Sequence, residues 1–458
     1  MLTALIALLA QALPAQALPV CTPQAHGGRA GDAAPDTAAI QAAIDACEGT
    51  GGTVLLGPGR WETAQLTLGS AMTFKLAAGA ELALIPDAAL YAPLPGQDGT
   101  EANHVKRPAL QAFGVRGLRV EGLGRIVGRG EAFWDEGFLE SGAGRPTLPR
   151  AMPVLHAEGC EDVTVEGLRI EDAPGYGLAF LGCEGVRVLD LTVRNDARSP
   201  NTDGVQLRDS RRVFIARADI DTGDDAIVLK SSRGPVEDVV VTDSVLRSDD
   251  AAIKFGTGSH VGVRRAVFSN VVIRDSRYGV AIFAIDGGTH RDVRFSNLVI
   301  ETGGRHARTY PVFVDVDRRE ADRGWSVIDG LTFDGLDVRT GGAMLIAGNP
   351  ASPIRNLVLR DVDVRRAETL EALGGSAKPR GNKRIRAQAD SRDYAGLPAD
   401  VVIAHADGVV LDVGLPGCAD ERAGVVLVAV EGLETDRRAR EAPGLVPGEA
   451  ARVIGGCE

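Results

Sequence analysis

The chain has 458 residues, a formal net charge of −12 and only 4% aromatic residues. Such a balance leaves no basic footprint for nucleic acid and no polybasic stretch for a membrane surface, and it repels an acidic glycan at long range. Abundant Gly, Val and Asp favour short strands and turns over an aromatic-rich core, and the length suits either a few ordinary domains or one elongated repeat.

Residues 2–12 (LTALIALLAQA) form a short apolar run ending in small residues, with Ala15-Gln16-Ala17 as a cleavage site. This predicts a secretory signal peptide over 1–17 and a secreted or periplasmic mature chain over 18–458. No other stretch approaches the roughly 18 apolar residues needed to span a bilayer, so no membrane span is expected.

Six cysteines in an exported chain suit disulfides better than metal. Sequential pairing, Cys21 with Cys47, Cys160 with Cys183 and Cys418 with Cys457, is one of several connectivities open to them. No CxxC or HxxxH spacing occurs, and neither a bound metal nor a cofactor is expected.

The stretch DAAPDTAAIQAAIDACEGTGG predicts a helix over 37–47 with Asp36 at its N-cap. Ile40, Ile44 and Cys47 fall on one face, and a Gly-rich turn ends it. A lone amphipathic helix ahead of many strands suits a cap on an otherwise open end.

From Glu158 onward an alternating pattern recurs: DVTVEGLRI, GVRVLDLTV, RVFIARADI, DVVVTDSVL, RAVFSNVVI, DVRFSNLVI, GLTFDGLDV, NLVLRDVDV. The second residues are Val163, Val186, Val213, Val239, Ala266, Val293, Leu331 and Leu357, spaced by 23, 27, 26, 27, 27, 38 and 26 residues. A near-constant period in the mid-twenties, built from two-residue alternation with Gly, Asn and Asp at the breaks, predicts an all-β solenoid, a right-handed parallel β-helix. The long step contains RTYPVFVDVDRREADRGW, read as an inserted loop. Residues 367–398 break the pattern as a surface excursion, after which ADVVIAHADGVVLDVGLP and GVVLVAVEGLE resume it.

Aligning a second set of apolar runs places Val205, Ile227, Ile253 and Val280 in one column. Asp203, Asp225, Ala251 and Tyr278 then share another, and Thr202, Asp224, Asp250 and Arg277 share its neighbour. If the runs are paired neighbours, one column step is about 4.8 Å, and Asp203, Asp224 and Asp225 fall in one patch. Clustered carboxylates cannot all ionise freely, so their pKa values separate into proton donors and acceptors. Corner aspartates that satisfy backbone N–H groups are the plainer alternative.

With NTDG at 201–204 and GDDAIVLK at 223–230 on such a repeat, the chain resembles glycoside hydrolase family 28, the polygalacturonase family. GDAAPDTAAIQAAIDAC, GGTVLLGPG and GRIVGRGEAFWD extend the resemblance over most of the chain. It implies that Asp224 is the general acid and that Asp203 and Asp225 hold and deprotonate the attacking water, with inversion at the anomeric carbon. Other family features are replaced. The family's Gly-His-Gly falls on Asp249, Asp250 and Ala251. Its carboxylate-gripping Arg-Ile-Lys falls on Ala281, Ile282 and Phe283. An aromatic and a histidine ahead of Cys183 fall on Tyr176 and Ala179.

Lys254 shares a column with Ala281 and Lys230 with Phe283, so each either offers charge to substrate or neutralises nearby aspartates. Arg277 is expected to pair with Asp250. Asn201, Lys230, Asp250, Lys254 and Tyr278, the last as a sugar-stacking ring, are the expected substrate-binding residues. These features predict a monomeric, exported, inverting hydrolase of a pectin-like glycan other than ordinary homogalacturonan. Two alternatives stand beside it: a calcium-dependent lyase on the same solenoid, and a non-catalytic glycan-binding scaffold.

Overall fold

In the computed structural model, residues 17–455 are described except 33, 98–104, 135–148, 304–305, 307, 321, 369–393, 395 and 416–422. The predicted signal peptide up to residue 16, Cys418, Cys457 and nearly all of the predicted excursion at 367–398 lie outside the described residues. The remainder winds as a right-handed parallel β-helix. Early coils carry three short strands, as in Leu155–Glu158, Glu161–Glu166 and Arg169–Glu171, each hydrogen-bonded to its counterpart one coil later. From Val236 onward the second and third strands fuse into long ones such as Val236–Ser248 and Val263–Ser276.

The inward stacks follow the periodicity residue for residue. Val163, Val186, Val213, Val239, Ala266, Val293, Leu331 and Leu357 are successive register partners, all buried. Leu155, Leu178, Val205, Ile227, Ile253 and Val280 form a second stack. One residue ahead of the first stack the chain turns a corner in the left-handed region, at Asp162, Arg212, Asp238, Arg265, Asp292 and Asn356. Asp and Asn tolerate that conformation better than other side chains, which accounts for their recurrence at the breaks.

Helix α1 (Thr37–Cys47) closes the N-terminal end, with Ile40, Ala43, Ile44 and Cys47 buried. Asp36 stands at the N-cap position but makes no cap bond. Its carboxylate accepts from the backbone N–H groups of Arg29 and Glu62, tying the helix entry to the first coils.

Two sequence expectations need correction. The cysteine pairing holds for Cys21–Cys47, whereas Cys160 and Cys183 are free buried thiols. They sit in hydrogen-bond contact at the same corner of adjacent coils, and each also donates to a main-chain carbonyl of the preceding coil, Ala112 or Ala157. In the long step, Tyr310–Val316 is a strand paired with Tyr278–Ala284, because YPVFVDV alternates like its neighbours. The additional residues lie on either side of it. The final pairing turns antiparallel, Ala451–Ile454 lying against Ala423–Glu434.

Candidate active site

Asp203 and Asp225 enter the first strand position of adjacent coils two residues ahead of the paired Val205 and Ile227. The main chain beneath them is fixed from both sides. Gly177 N–H donates to the carbonyl of Asp203 (2.7 Å), and Gly204 N–H to that of Asp225 (2.9 Å). The hydroxyls of Thr222 and Ser248 both donate to the carbonyl of Asp224, at 2.5 and 2.7 Å. Two motif glycines are needed for this close stacking. A Cβ at Gly204 would lie 2.5 Å from the carbonyl oxygen of Ala226, and one at Gly223 would lie 2.3 Å from that of Ser199.

The three aspartates converge, with one oxygen from each lying within 4.8 Å of the others. None is a left-handed corner residue, unlike the turn aspartates described above. Asp203 and Asp225 are buried at 3% exposure. Burial, followed by the charge of Asp224, pushes the Asp203 carboxyl up to about 7. Burial also raises Asp225, offset in part by Lys254. Gln206 donates to Asp203 at 3.4 Å, and Asn201 to Asp224 at 3.3 Å.

All three line a cavity of about 490 Å³ together with Asn201, Lys230, Asp250 and Lys254. Four of the five expected substrate-binding residues are therefore at the cavity wall. The fifth, Tyr278, is not. Its ring is 5% exposed in an apolar cluster on the outer side of the later coils, stacked on Tyr310 (5.5 Å) and edge-on to Phe283 and Phe313. Tyr310 and Phe313 come from the next coil's strand, which is why a residue that reads as a surface corner is buried.

The two lysines differ. Lys254 donates to Asp225 at 3.0 Å and to Asp250 at 3.4 Å. Although burial opposes its charge, these carboxylates hold its pKa well above the usual lysine value. Lys230 has no such bond among the described residues, and burial depresses it. Asp250 is also paired with Arg277 at 3.4 Å, as expected from the register.

Several residues in or behind the cavity wall escaped the sequence reading. Lys106 lies 4.3 Å over the ring of Tyr176, and burial, reinforced by the charge of Arg150, pushes its pKa down to about 7. Arg150, 2% exposed, donates to the carbonyl of Pro200 and to the Asn201 side chain, both at 2.9 Å, bracing the approach to Asp203. Arg208 and Arg319 also line the cavity. Lys106 and Arg150 precede the recognisable repeat. Arg208 stood in plain view, register partner of Lys230.

The model of the family "Glycosyl hydrolases family 28" matches residues 62–370. A probable polygalacturonase of Arabidopsis thaliana is 25% identical over 57% of this chain and 59% of its own length. An endo-polygalacturonase of Pectobacterium carotovorum is 22% identical over 76% of this chain and 88% of its own. The chain thus spans only 59%, 45% and 45% of three curated plant relatives that it matches. Among solved structures, the family 28 exopolygalacturonase of Yersinia enterocolitica superposes with a TM-score of 0.68 at 18% identity, over 91% of this chain and 78% of its own. An exopolygalacturonase of Thermotoga maritima gives 0.63 at 16%, over 91% of both chains. At these identities the superpositions carry the fold alone.

Proposed function

Because the chain belongs to glycosyl hydrolase family 28, and is in that sense a glycosidase acting on carbohydrate, we propose that it hydrolyses a pectin-like glycan at Asp203, Asp224 and Asp225. The observation that carries the reading is the convergence of these three carboxylates in one cavity, two of them buried and raised. Asp224, the more exposed, donates its proton to the glycosidic oxygen as the C1–O bond breaks. Asp203 and Asp225 hold a water on the opposite face of the sugar, and one of them takes its proton as the water oxygen bonds to C1. Lys254 beside Asp225 favours the anion that this base needs. Asp224 then regains a proton from solvent.

The substrate in this reading is not unsubstituted homogalacturonan held in the family's usual way. Ala281 and Phe283 occupy the places of the carboxylate-gripping cations, and Asp250 adds negative charge at the wall. The chain itself is read as a signal peptide over 1–17 followed by one catalytic solenoid over 18–458, acting as an exported monomer.

The test is reducing-sugar release by purified protein from a panel of homogalacturonan, rhamnogalacturonan fragments and neutral hemicelluloses, with the anomer of the first product followed by NMR. Release of an inverted product from a pectic fragment is the expected result. A retained product would assign a double displacement instead. An unsaturated, ultraviolet-absorbing product would establish a lyase.

A further inference from the structure

Asp224 is held by donors on both of its carboxylate oxygens. The backbone N–H of Asp225 donates to Oδ1 at 3.0 Å, and the side-chain amide of Asn201 donates to Oδ2 at 3.3 Å. An amide can present either its nitrogen or its oxygen to a neighbour, and the surrounding hydrogen bonds decide which. Here the decision falls to Arg150. A guanidinium has N–H donors and no acceptor, and Arg150 donates to Oδ1 of Asn201 at 2.9 Å, so the nitrogen of the same amide turns toward Asp224. A second donor of Arg150 reaches the carbonyl of Pro200, also at 2.9 Å. One planar fork thus grips two consecutive residues at the entry to the NTDG motif. Asn201 itself sits in the left-handed region, at φ 51°, and the bond to the carbonyl ahead of it helps to fix that conformation. Arg150 is 2% exposed and stands behind the cavity wall rather than in it, so it reaches the reacting sugar only through what it holds.

Resting on the reading of Asp224 as the general acid, we propose that Arg150 is a positioning residue for proton delivery: by fixing the Asn201 amide, it keeps an N–H group, and no acceptor, against Asp224. With both Asp224 oxygens facing donors, no hydrogen bond among the described residues draws the acid's proton into the protein. The proton stays available to the glycosidic oxygen. Without Arg150 nothing holds Oδ1 of Asn201, and the amide can turn over. Its oxygen would then accept the Asp224 proton, and the hydrogen bond that should lead to the leaving group would end in Asn201 instead. The predicted defect is therefore narrow. Substrate still binds and water is still activated at Asp203 and Asp225, while departure of a leaving group that needs a proton is slowed.

Two substrates that differ only in leaving group separate proton delivery from the rest of the site: the 2,4-dinitrophenyl and methyl glycosides of the shortest fragment cleaved in the glycan panel. Dinitrophenolate departs without a proton, whereas methoxide needs one. Both are assayed with the full-length parent, Arg150→Met, Asn201→Ala and the double variant, each checked for normal melting. Arg150→Met should lower kcat for the methyl glycoside at least tenfold and for the dinitrophenyl glycoside less than threefold. In the Asn201→Ala background the same substitution should cost less than a further threefold, because the amide it acts through is gone. Equal losses on the two glycosides, or full additivity in the double variant, would make Arg150 a purely structural residue and overturn the proposal. A second measurement needs no change at Arg150. The side-chain amide resonance of Asn201 in nitrogen-15-labelled protein should shift on Asp224→Asn, and an amide that ignores that substitution in a normally melting protein overturns the proposal as well. A parent that cleaves no glycan and neither glycoside would overturn the hydrolytic reading and the proposal with it, a failure distinct from equal losses on the two glycosides.

Discussion

At the residue scale, the chemistry turns on how burial divides three carboxylates. Asp203→Asn, Asp224→Asn and Asp225→Asn should each lower turnover by about 10²-fold or more, since positioned general acids and bases contribute about 10²–10⁴. Steady-state kinetics on the best substrate of the panel checks this, and a fold-change near one at any position removes that residue from the mechanism. Asp203 also sets a pH signature. Its pKa, raised to about 7 chiefly by burial and then by Asp224, lies above the unfolded value of 3.8. The folded state therefore keeps a proton that the unfolded chain has released, and the resulting stability is present below pH 3.8 and lost as pH climbs to about 7. Asp203→Asn should thus melt higher than the parent at pH 7, by an amount on the order of a few kcal/mol in stability, with the gap closing toward pH 4. Activity runs the other way. A base must be ionised, so kcat/KM should rise toward neutrality with an apparent pKa that belongs to the coupled cluster. A profile already flat at pH 5 would take Asp203 out of the base role.

At the scale of the element, a strand's worth to this fold depends on the strand above and below it. Phe268, Phe295 and Phe333 are successive register partners in the core, their rings stacked at 4.9 and 5.1 Å. Phe295→Ala removes the middle ring and should cost about 3–5 kcal/mol, measured by denaturant unfolding. A loss below about 1 kcal/mol would mean that the neighbouring coils collapse into the gap. The same dependence explains what could be read in the sequence. Val163 through Leu357 and the Val205–Val280 column were legible because alternation and period are local, and they fix which side chains point inward. The placing of Asp203, Asp224 and Asp225 followed from that register. Lys106 at the cavity wall and Arg150, which braces Asn201 behind it, were not legible, because both come from segments ahead of the clear repeat. Tyr278 was misplaced because its cover comes from the rings of Phe283, Tyr310 and Phe313, the last two on the strand within the stretch read as an inserted loop. Register says where a backbone sits and nothing about what later folds over it.

At the scale of the whole molecule, a solenoid has two ends that its own repeat cannot close. Each interior coil pairs with a neighbour on both sides, so the terminal coils would expose unpaired backbone and an open apolar core. Here α1 closes the first end through Ile40, Ala43 and Ile44, and Cys21–Cys47 bonds its last residue to the first strand. With the cysteines 26 positions apart in sequence, loop-closure entropy alone makes that bond worth about 3 kcal/mol. Ile44→Asp puts a charge into the buried cap with no cation placed to receive it, and so should detach the helix without touching the cavity. Because coils contact only their neighbours, the damage should spread from the end. Backbone hydrogen exchange in Thr53–Leu56 and Met72–Leu76 should accelerate by at least tenfold, while Val236–Ser248, many coils away, keeps its protection. Uniform acceleration along the chain would instead mean that the coils open as one cooperative unit, with the cap setting the stability of the catalytic coils as well as its own end.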